Sequence, residues 1–451
     1  MFDFMPTNAA PIRRNYQPHR RHASTLDWPP TAAVRRGRVI GDADSCLRSG
    51  TEERKMTMKA ISSWTGPRFA LSKALRDRRR LRVYMCMVIA IFAVAFGSAM
   101  ISAASDNHVK MGGDFADYWL AAGRMSGGHS PYAPEMLLGA IPAQGPDRFR
   151  YPPVFAQMLI PLSWLPEQVA AFVWFCVQTA TLALGLYIAS RAGGIRSRWD
   201  RGIAVGLAFA LYLPIYDGLM KGNVEGPTTL LLACALLAGE RGAGISVAAA
   251  ALIKLVPGMA FPALAARGRR AAAGFLAACA VLVVPSMILA PGAWRDYAVV
   301  LPNMLAGSVA YENNLAPAGF IASDPALAPL AALATLARLS FVGAAILLIG
   351  LSIWLARRPG GWPAALLAAT VASILAPGAI WYHYTVVLLP FVFYAWPRTS
   401  VRVRLGLLSG LTGFVFVTAT PFMSILAFAA FTGFGLRALW PQRRADSVRS
   451  I

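Results

Sequence analysis

The stretch Gly112-Gly113-Asp114-Phe115-Ala116-Asp117-Tyr118-Trp119-Leu120-Ala121-Ala122 sets two carboxylates three residues apart among apolar side chains. On a helix, Asp114 and Asp117 stand one turn apart, and Phe115, Tyr118, Trp119 and Ala122 share an apolar face. That face predicts a helix lying in the headgroup region of a membrane, where Tyr and Trp are favoured. A carboxylate there can act as general base toward a hydroxyl. An Asp behind two glycines is also a good helix N-cap, and spacing alone does not separate the two roles. Further along, Asp217, Lys221, Asn223 and Glu225 crowd one short polar segment, in which Lys221 and Glu225 are spaced to pair. Lys254 stands inside an apolar block, where a cation either marks function or snorkels to the interface. Arg148 and Arg150 precede Tyr151-Pro152-Pro153, with solvated loop charges as the simpler reading. His383 sits among aromatics in Trp381-Tyr382-His383-Tyr384, either as a neutral structural side chain or as a contact to substrate. Trp294, Tyr297, Asn303, Tyr311, Glu312, Asn313 and Asn314 suit sugar stacking and hydrogen bonding, or equally an interfacial belt.

These residues must be positioned by a chain of 451 residues that is 57 % hydrophobic and 14 % charged. A soluble domain needs about a quarter of its residues charged, so a soluble enzyme, a disordered chain and a collagen-like fibre are excluded. Apolar blocks long enough for the roughly 20 residues of a helical span, without the alternation of a barrel strand, predict an all-α polytopic membrane protein. The net charge is +22, and residues 1–82 hold half of it, with 18 Lys and Arg against 7 Asp and Glu. The run Arg76–Arg82 abuts the first apolar block and reads as a cytoplasmic flank; no nucleic-acid motif accompanies it, so no nucleic-acid partner is expected. Residues 1–80 read as a disordered basic extension, with Met56 and Met58 as alternative starts, and no cleavable signal peptide fits before Val83. Residues 81–440 form the membrane domain, and 441–451 a cytoplasmic tail. Cys46, Cys86, Cys176, Cys234 and Cys279 show no metal-ligand spacing and read as small core residues.

Basic clusters at 191–201, 267–270, 357–358, 398–404 and 437–444 set the topology. With the N-terminus inside, 105–152 is an exterior loop. All later clusters fall inside only if the block 245–264, which holds Lys254, Pro257 and Pro262, breaks and returns to its own side. The expectation is about ten crossings plus one re-entrant or broken helix. Both termini are then cytoplasmic, and the polar segments 105–152, 217–225, 292–335 and 378–383 lie outside.

The ordered set G-D-F-x-x-Y-W-x-A-A at 113–122, G-x-S-P-Y at 128–132, Y-P-P at 151–153, P-L-x-x-L-P at 161–166, G-N-V-E at 222–225, I-K-x-x-P at 253–257 and A-x-W-Y-H-Y at 379–384 resembles glycosyltransferase family 87 of the GT-C superfamily, which includes phosphatidylinositol-mannoside α-mannosyltransferases. The resemblance runs over about 83–440. It implies a GT-C-like fold in a bacterial-type inner membrane. It also implies a polyprenyl-phosphate sugar donor, a lipid or glycan acceptor, and inversion by single displacement. Asp114 matches the family's catalytic Asp. His383, Lys254, Lys221 and Arg150 are the candidates to hold the donor phosphate, and Tyr118, Trp119, Asn223 and Glu225 complete the expected substrate-binding set. A lipid monophosphate donor and the absence of an Asp-x-Asp pair from the first exterior loop predict metal-independent catalysis with no cofactor. The rival reading is a transporter or flippase for a lipid-linked glycan. It calls for charges distributed through several spans around a midplane site, whereas intramembrane charge here is nearly limited to Lys254.

Overall fold

The computed structural model describes residues 78–105, 112–139, 147–306, 314–323, 325–415 and 422–441, which belong to one unit, Ala74–Ile451. The expected extension 1–80 lies almost wholly outside these residues, as do Cys46 and the tail 442–451. Among the described residues the fold is all-helical, and the sole β-feature is an isolated bridge between Asn314 and Trp381.

The first helix, α1, spans Arg78–Ser105, and α2 spans Gly113–Ser126. Two short helices, α3 (Pro153–Met158) and α4 (Ile160–Ser163), lead into the long α5 (Glu167–Gly193). Then come α6 (Arg198–Leu211), α7 (Leu213–Lys221), α8 (Glu225–Leu237) and α9 (Glu240–Ile253). A 3₁₀ turn over Val256–Ala260 joins α9 to α10 (Phe261–Arg267), and α11 (Arg269–Leu289), α12 (Pro291–Ala306) and α13 (Pro317–Ser323) follow. The last five are α14 (Ala331–Ala356), α15 (Trp362–Leu375), α16 (Leu389–Ala395), α17 (Val401–Val415) and α18 (Phe422–Leu439). A 3₁₀ segment, Tyr382–Leu388, precedes α16.

Among the described residues, three helices are long and apolar enough to cross a bilayer: Glu167–Gly193, Arg269–Leu289 and Ala332–Ala356. The pair α6–α7, bent by 74° at Tyr212, adds a fourth if it is one span. The helices do not reproduce the count of about ten. Several apolar blocks form shorter helices, such as Glu225–Leu237 and Trp362–Leu375, because Gly and Pro at their edges end the hydrogen-bond ladder. A 14-residue helix rises about 21 Å, less than the roughly 30 Å hydrocarbon layer. Nearly every residue of α15 is nonetheless buried; a helix this apolar all round, with only Thr370 and Ser373 polar, belongs at the centre of a bundle.

Helices α5 and α8 lie side by side in the same direction: a Cβ on Gly226 would meet the Gln178 backbone, and one on Gly185 the Leu230 backbone. Helix α8 therefore begins about halfway along α5, and their C-termini share one end of the bundle. Helix α9 starts at the far end and climbs to Lys254, whose extended backbone (φ −142°, ψ 116°) ends it. The chain then turns through Pro257 and descends along α10 to Arg267, where Gly268 lies against the Glu240 carboxylate. The break anticipated in 245–264 is thus present, and its two ends meet. Arginines gather at that far end, stacked on aromatic rings: Arg267 on Trp362, Arg358 on Trp354 and Arg398 on Tyr394.

Helices α9 and α11 touch backbone to backbone. A Cβ on Gly244 would stand 2.1 Å from the Ala271 carbonyl oxygen, and one on Gly274 would stand 2.4 Å from that of Arg241. Backbone cannot yield as a side chain can, so Gly244→Ala should force the helices apart and cost about 1–3 kcal/mol. Thermal unfolding in detergent is expected to show the loss as a lowered midpoint. An unchanged midpoint would mean that the helices do not pack this closely.

Candidate active site

Helix α2 begins with Gly112 in the left-handed region (φ 78°), and the Gly112 N–H donates to the Met220 carbonyl (2.8 Å). This bond ties the start of α2 to the turn after α7. That turn is left-handed at Gly222 (φ 73°), where the backbone approaches Phe115 and Gly112 so closely that a Cβ would stand 2.7 Å from the Phe115 Cβ. Trp174 of α5 donates its indole N–H to the Gly222 carbonyl (2.7 Å) and stacks on Phe115 (centroids 5.9 Å apart).

Asp114 lies in the first turn of α2, and its side chain is not a cap: the N-cap is Gly112, which has no side chain to offer. Its carboxylate instead accepts from Asn223 Nδ2 (2.6 Å). The Asn223 amide is oriented in turn, because its Oδ1 accepts from the Val224 N–H (2.7 Å). Of the two roles left open by spacing, the structure therefore disfavours the cap and leaves a half-buried carboxylate held by a neutral donor.

Two residues on, Glu225 opens α8 with only 4 % of its surface exposed. Its Oε1 accepts from Lys254 Nζ (3.0 Å), and the same ammonium lies 3.3 Å from the ring centroid of Tyr384. The expected pairing of Lys221 with Glu225 is corrected here. Lys221 pairs with Asp217, one turn back on α7 (3.0 Å), while the Gly222 turn aims Glu225 at the α9 break. Glu225, Lys254 and Tyr384 wall one part of a small cleft. Thr228, Leu232, Thr370, Ser373, Ile374 and Val387 line the remainder.

Tyr118 and Tyr151 share a hydrogen bond between their hydroxyls (2.8 Å), and burial pushes both phenols up. Each lies within electrostatic reach of Asp114 and Glu225. Tyr384 feels Lys254, Glu225, Asp114 and Arg150, so these groups converge on one place. The α2 helix does not lay its aromatic face on the headgroups: Phe115 and Tyr118 are buried against Phe149, Phe155 and Trp174, because this cluster offers protein partners to the whole face. Trp119 packs half-buried against the same cluster and donates to the Leu165 carbonyl (3.1 Å).

His383 is 1 % exposed, is hydrogen-bonded through Nδ1 to Asp217 (2.7 Å), and is not among the residues lining the cleft. The described part of the late aromatic segment is also structural. Trp294 donates to the Ser286 hydroxyl (2.9 Å), Asn303 donates to the Met136 carbonyl (2.9 Å), and Tyr297 stacks on Tyr132. Asn314 accepts from the Ala316 and Ile380 N–H groups (3.0 and 2.9 Å) and so clips the 378–384 segment in place. Tyr311, Glu312 and Asn313 lie outside the described residues. The sequence reading missed Tyr151 and Tyr384 as site residues. A lone Lys in an apolar block asks for an acidic or aromatic partner, and that demand was the available signal. Among the described residues, no group of three or more His, Cys, Asp or Glu is placed to hold a metal ion.

Asp117 has a different task. Its carboxylate accepts the Asp147 N–H (3.0 Å) and holds the 147–150 segment against α2. Burial, together with the nearby Asp114 charge, raises its pKa to about 6 against backbone donors that lower it. Between its unfolded value of 3.8 and about 6, the folded protein then binds the extra proton. Stability should fall as pH rises through this window and level off above it. Asp117→Asn should remove that slope, which unfolding midpoints measured from pH 4 to 8 would reveal; an identical slope in the variant would assign the titration elsewhere.

The family model of glycosyltransferase family 87 matches residues 149–377, half of the chain. No curated protein and no solved structure matches it. The matched segment contains Arg150, Tyr151, Asn223, Glu225 and Lys254; Asp114 precedes it, and Tyr384 follows it, both joined to it by the contacts above. By this match, and with apolar helices that mark it as a membrane protein, the chain belongs to glycosyltransferase family 87.

Proposed function

We propose that this glycosyltransferase moves a hexose, mannose in the first instance, from a polyprenyl-phosphate donor to a hydroxyl of a lipid or glycan acceptor at the exterior face of an inner membrane. The observation that carries the reading is Asp114 held by Asn223 beside the Glu225–Lys254–Tyr384 cleft. The acceptor oxygen attacks the anomeric carbon as the bond from that carbon to the phosphate oxygen breaks. Asp114 takes the acceptor proton, the lipid monophosphate leaves, and the anomeric centre inverts. Asn223 keeps one carboxylate oxygen engaged, which orients the other toward the incoming hydroxyl. The leaving phosphate gains charge and needs a preorganised cation; we assign that task to Arg150, which lies within electrostatic reach of Tyr384.

The test is transfer by purified full-length chain, offered radiolabelled polyprenyl-phosphate-mannose and a membrane lipid extract. A labelled acceptor lipid is the expected product. Donor that binds, is never consumed, and moves directionally across liposomes would replace this reading with the transporter one.

A further inference from the structure

Arg338 is a cation on a surface suited to lipid. It stands in α14, which is long and apolar enough to cross a bilayer, and it is exposed. Leu336, Leu339, Val342 and Ile346 of the same helix are exposed beside it. In a membrane such aliphatic side chains meet acyl chains, and a guanidinium among them calls for an anion or for water. Helix α14 finishes at the far end of the bundle, where Arg358 stacks on Trp354, so its start lies toward the end that holds Lys254 and Tyr384. Arg338 stands about 10 Å past that start, within an arginine's reach of the phosphate layer.

The guanidinium has a platform. A Cβ on Gly378 would stand 3.1 Å from Arg338 Nη1, so the cation lies against the bare backbone of that glycine. Asn314 fixes this backbone: its Nδ2 donates to the Gly378 carbonyl (3.3 Å), and its Oδ1 accepts the Ala316 and Ile380 N–H groups. Arg338 and Gly378 belong to a shallow groove, walled otherwise by Pro317, Phe341, Val342, Leu375 and Pro377. Phe341 and Val342 follow Arg338 by one turn of α14, toward the middle of the membrane. The groove thus offers a cation nearer the surface and an apolar wall deeper down. It is distinct from the cleft: α15 gives Ser373 and Ile374 to the cleft and ends in Leu375 at the groove.

A guanidinium carries five N–H donors, so contacts within the protein leave donors for a ligand. A free phosphate matches the cation but not the apolar wall. An acyl chain alone matches the wall but not the cation. A phospholipid with a net negative headgroup matches both, in the orientation that it has in a bilayer. We propose that the Arg338 groove binds an anionic phospholipid of the surrounding membrane. The headgroup phosphate takes the guanidinium, and one acyl chain lies along Phe341 and Val342. The lipid thereby holds Arg338 on Gly378, whose segment runs on to Tyr384 in the wall of the cleft.

The test places the full chain in phosphatidylcholine vesicles that contain a minor share of phosphatidylglycerol, with photoreactive benzoylphenylalanine in place of Val342. The mass of the crosslinked lipid identifies its headgroup. Phosphatidylglycerol should appear about fivefold above its share, the ratio expected where one cation meets one net negative charge at a membrane surface. The same label in place of Leu347, exposed on α14 but outside the groove, should return the bulk ratio. Arg338→Gln should bring the groove label down to the bulk ratio and leave the second label unchanged, which also shows that α14 still lies in the bilayer. No enrichment at the groove label, or enrichment that survives Arg338→Gln, overturns the proposal. Loss of the enrichment with inorganic phosphate, beyond that with sodium chloride of equal ionic strength, would overturn it in favour of a free anion. Displacement by a trace of undecaprenyl phosphate would overturn it in favour of a polyprenyl lipid.

Discussion

Asp114→Asn should lower the rate of glycosyl transfer by about 10³-fold, the middle of the range that general acid–base catalysis contributes. The substitution preserves size and the acceptor that Asn223 Nδ2 requires, so the contact between α2 and the 222–225 turn remains. What disappears is the basicity needed to receive the acceptor proton. Donor affinity and the unfolding midpoint should therefore stay near wild type, and the loss should fall on kcat. Asp114→Glu restores a carboxylate but moves it by one methylene. A displacement of that order costs about 10²-fold in a positioned reaction, so partial activity is expected. Full activity in Asp114→Asn, measured with labelled donor, would remove Asp114 from the catalytic role and leave it as a structural partner of Asn223.

Gly222→Ala should damage the same site by geometry instead of chemistry. Gly222 is left-handed at φ 73°, a conformation that costs an L side chain about 1–2 kcal/mol. Its new methyl would also stand 2.7 Å from the Phe115 Cβ and 3.2 Å from the Gly112 Cα. The α2 start must then withdraw from the turn, and the Asn223–Asp114 bond lengthens or breaks. Transfer is expected to fall by about 10²-fold or more, with a lower unfolding midpoint. Gly244→Ala supplies the control, since it strains a helix pair away from Asp114 and should lower the midpoint with a much smaller change in rate per folded molecule. Equal rates for Gly222→Ala and the wild type would show that the α2 contact is not needed for catalysis.

Parts of this site were legible without coordinates. Two glycines before Asp114, a short polar segment ending in Glu225, and a cation inside the apolar run at Lys254 each violate the local rule for an apolar span. Such violations concentrate where function lies. The break at Lys254 was legible for a related reason: a charge next to Pro257 and Pro262 makes a continuous buried helix expensive. Near-neighbour pairing was only partly legible. Asp217 and Lys221 do meet at helical spacing, but that spacing offered Lys221 to Glu225 as well, and the left-handed Gly222 between them sends Glu225 elsewhere. The described helices do not confirm the span count, because apolar composition reports transfer cost and not helix length; α15 is as apolar as a span but only 14 residues long.

The amino-acid sequence by itself determined that the chain is an all-helical membrane protein, that its arginines cluster apart from its acidic site residues, and that its exceptional polar residues lie at a few points. These are local properties, written in composition and in spacings of one or two helical turns. The tertiary structure alone decided the partners. Asn223 meets Asp114 across 109 residues, His383 meets Asp217 across 166, and Lys254 meets Glu225 across 29. Those pairings follow from which helices pack, in which direction and at what closeness. They are set by glycine contacts such as Gly226 on Gln178 and by the turn at Gly222, because a side chain's reach is a few ångströms and only packing brings distant chain segments within it.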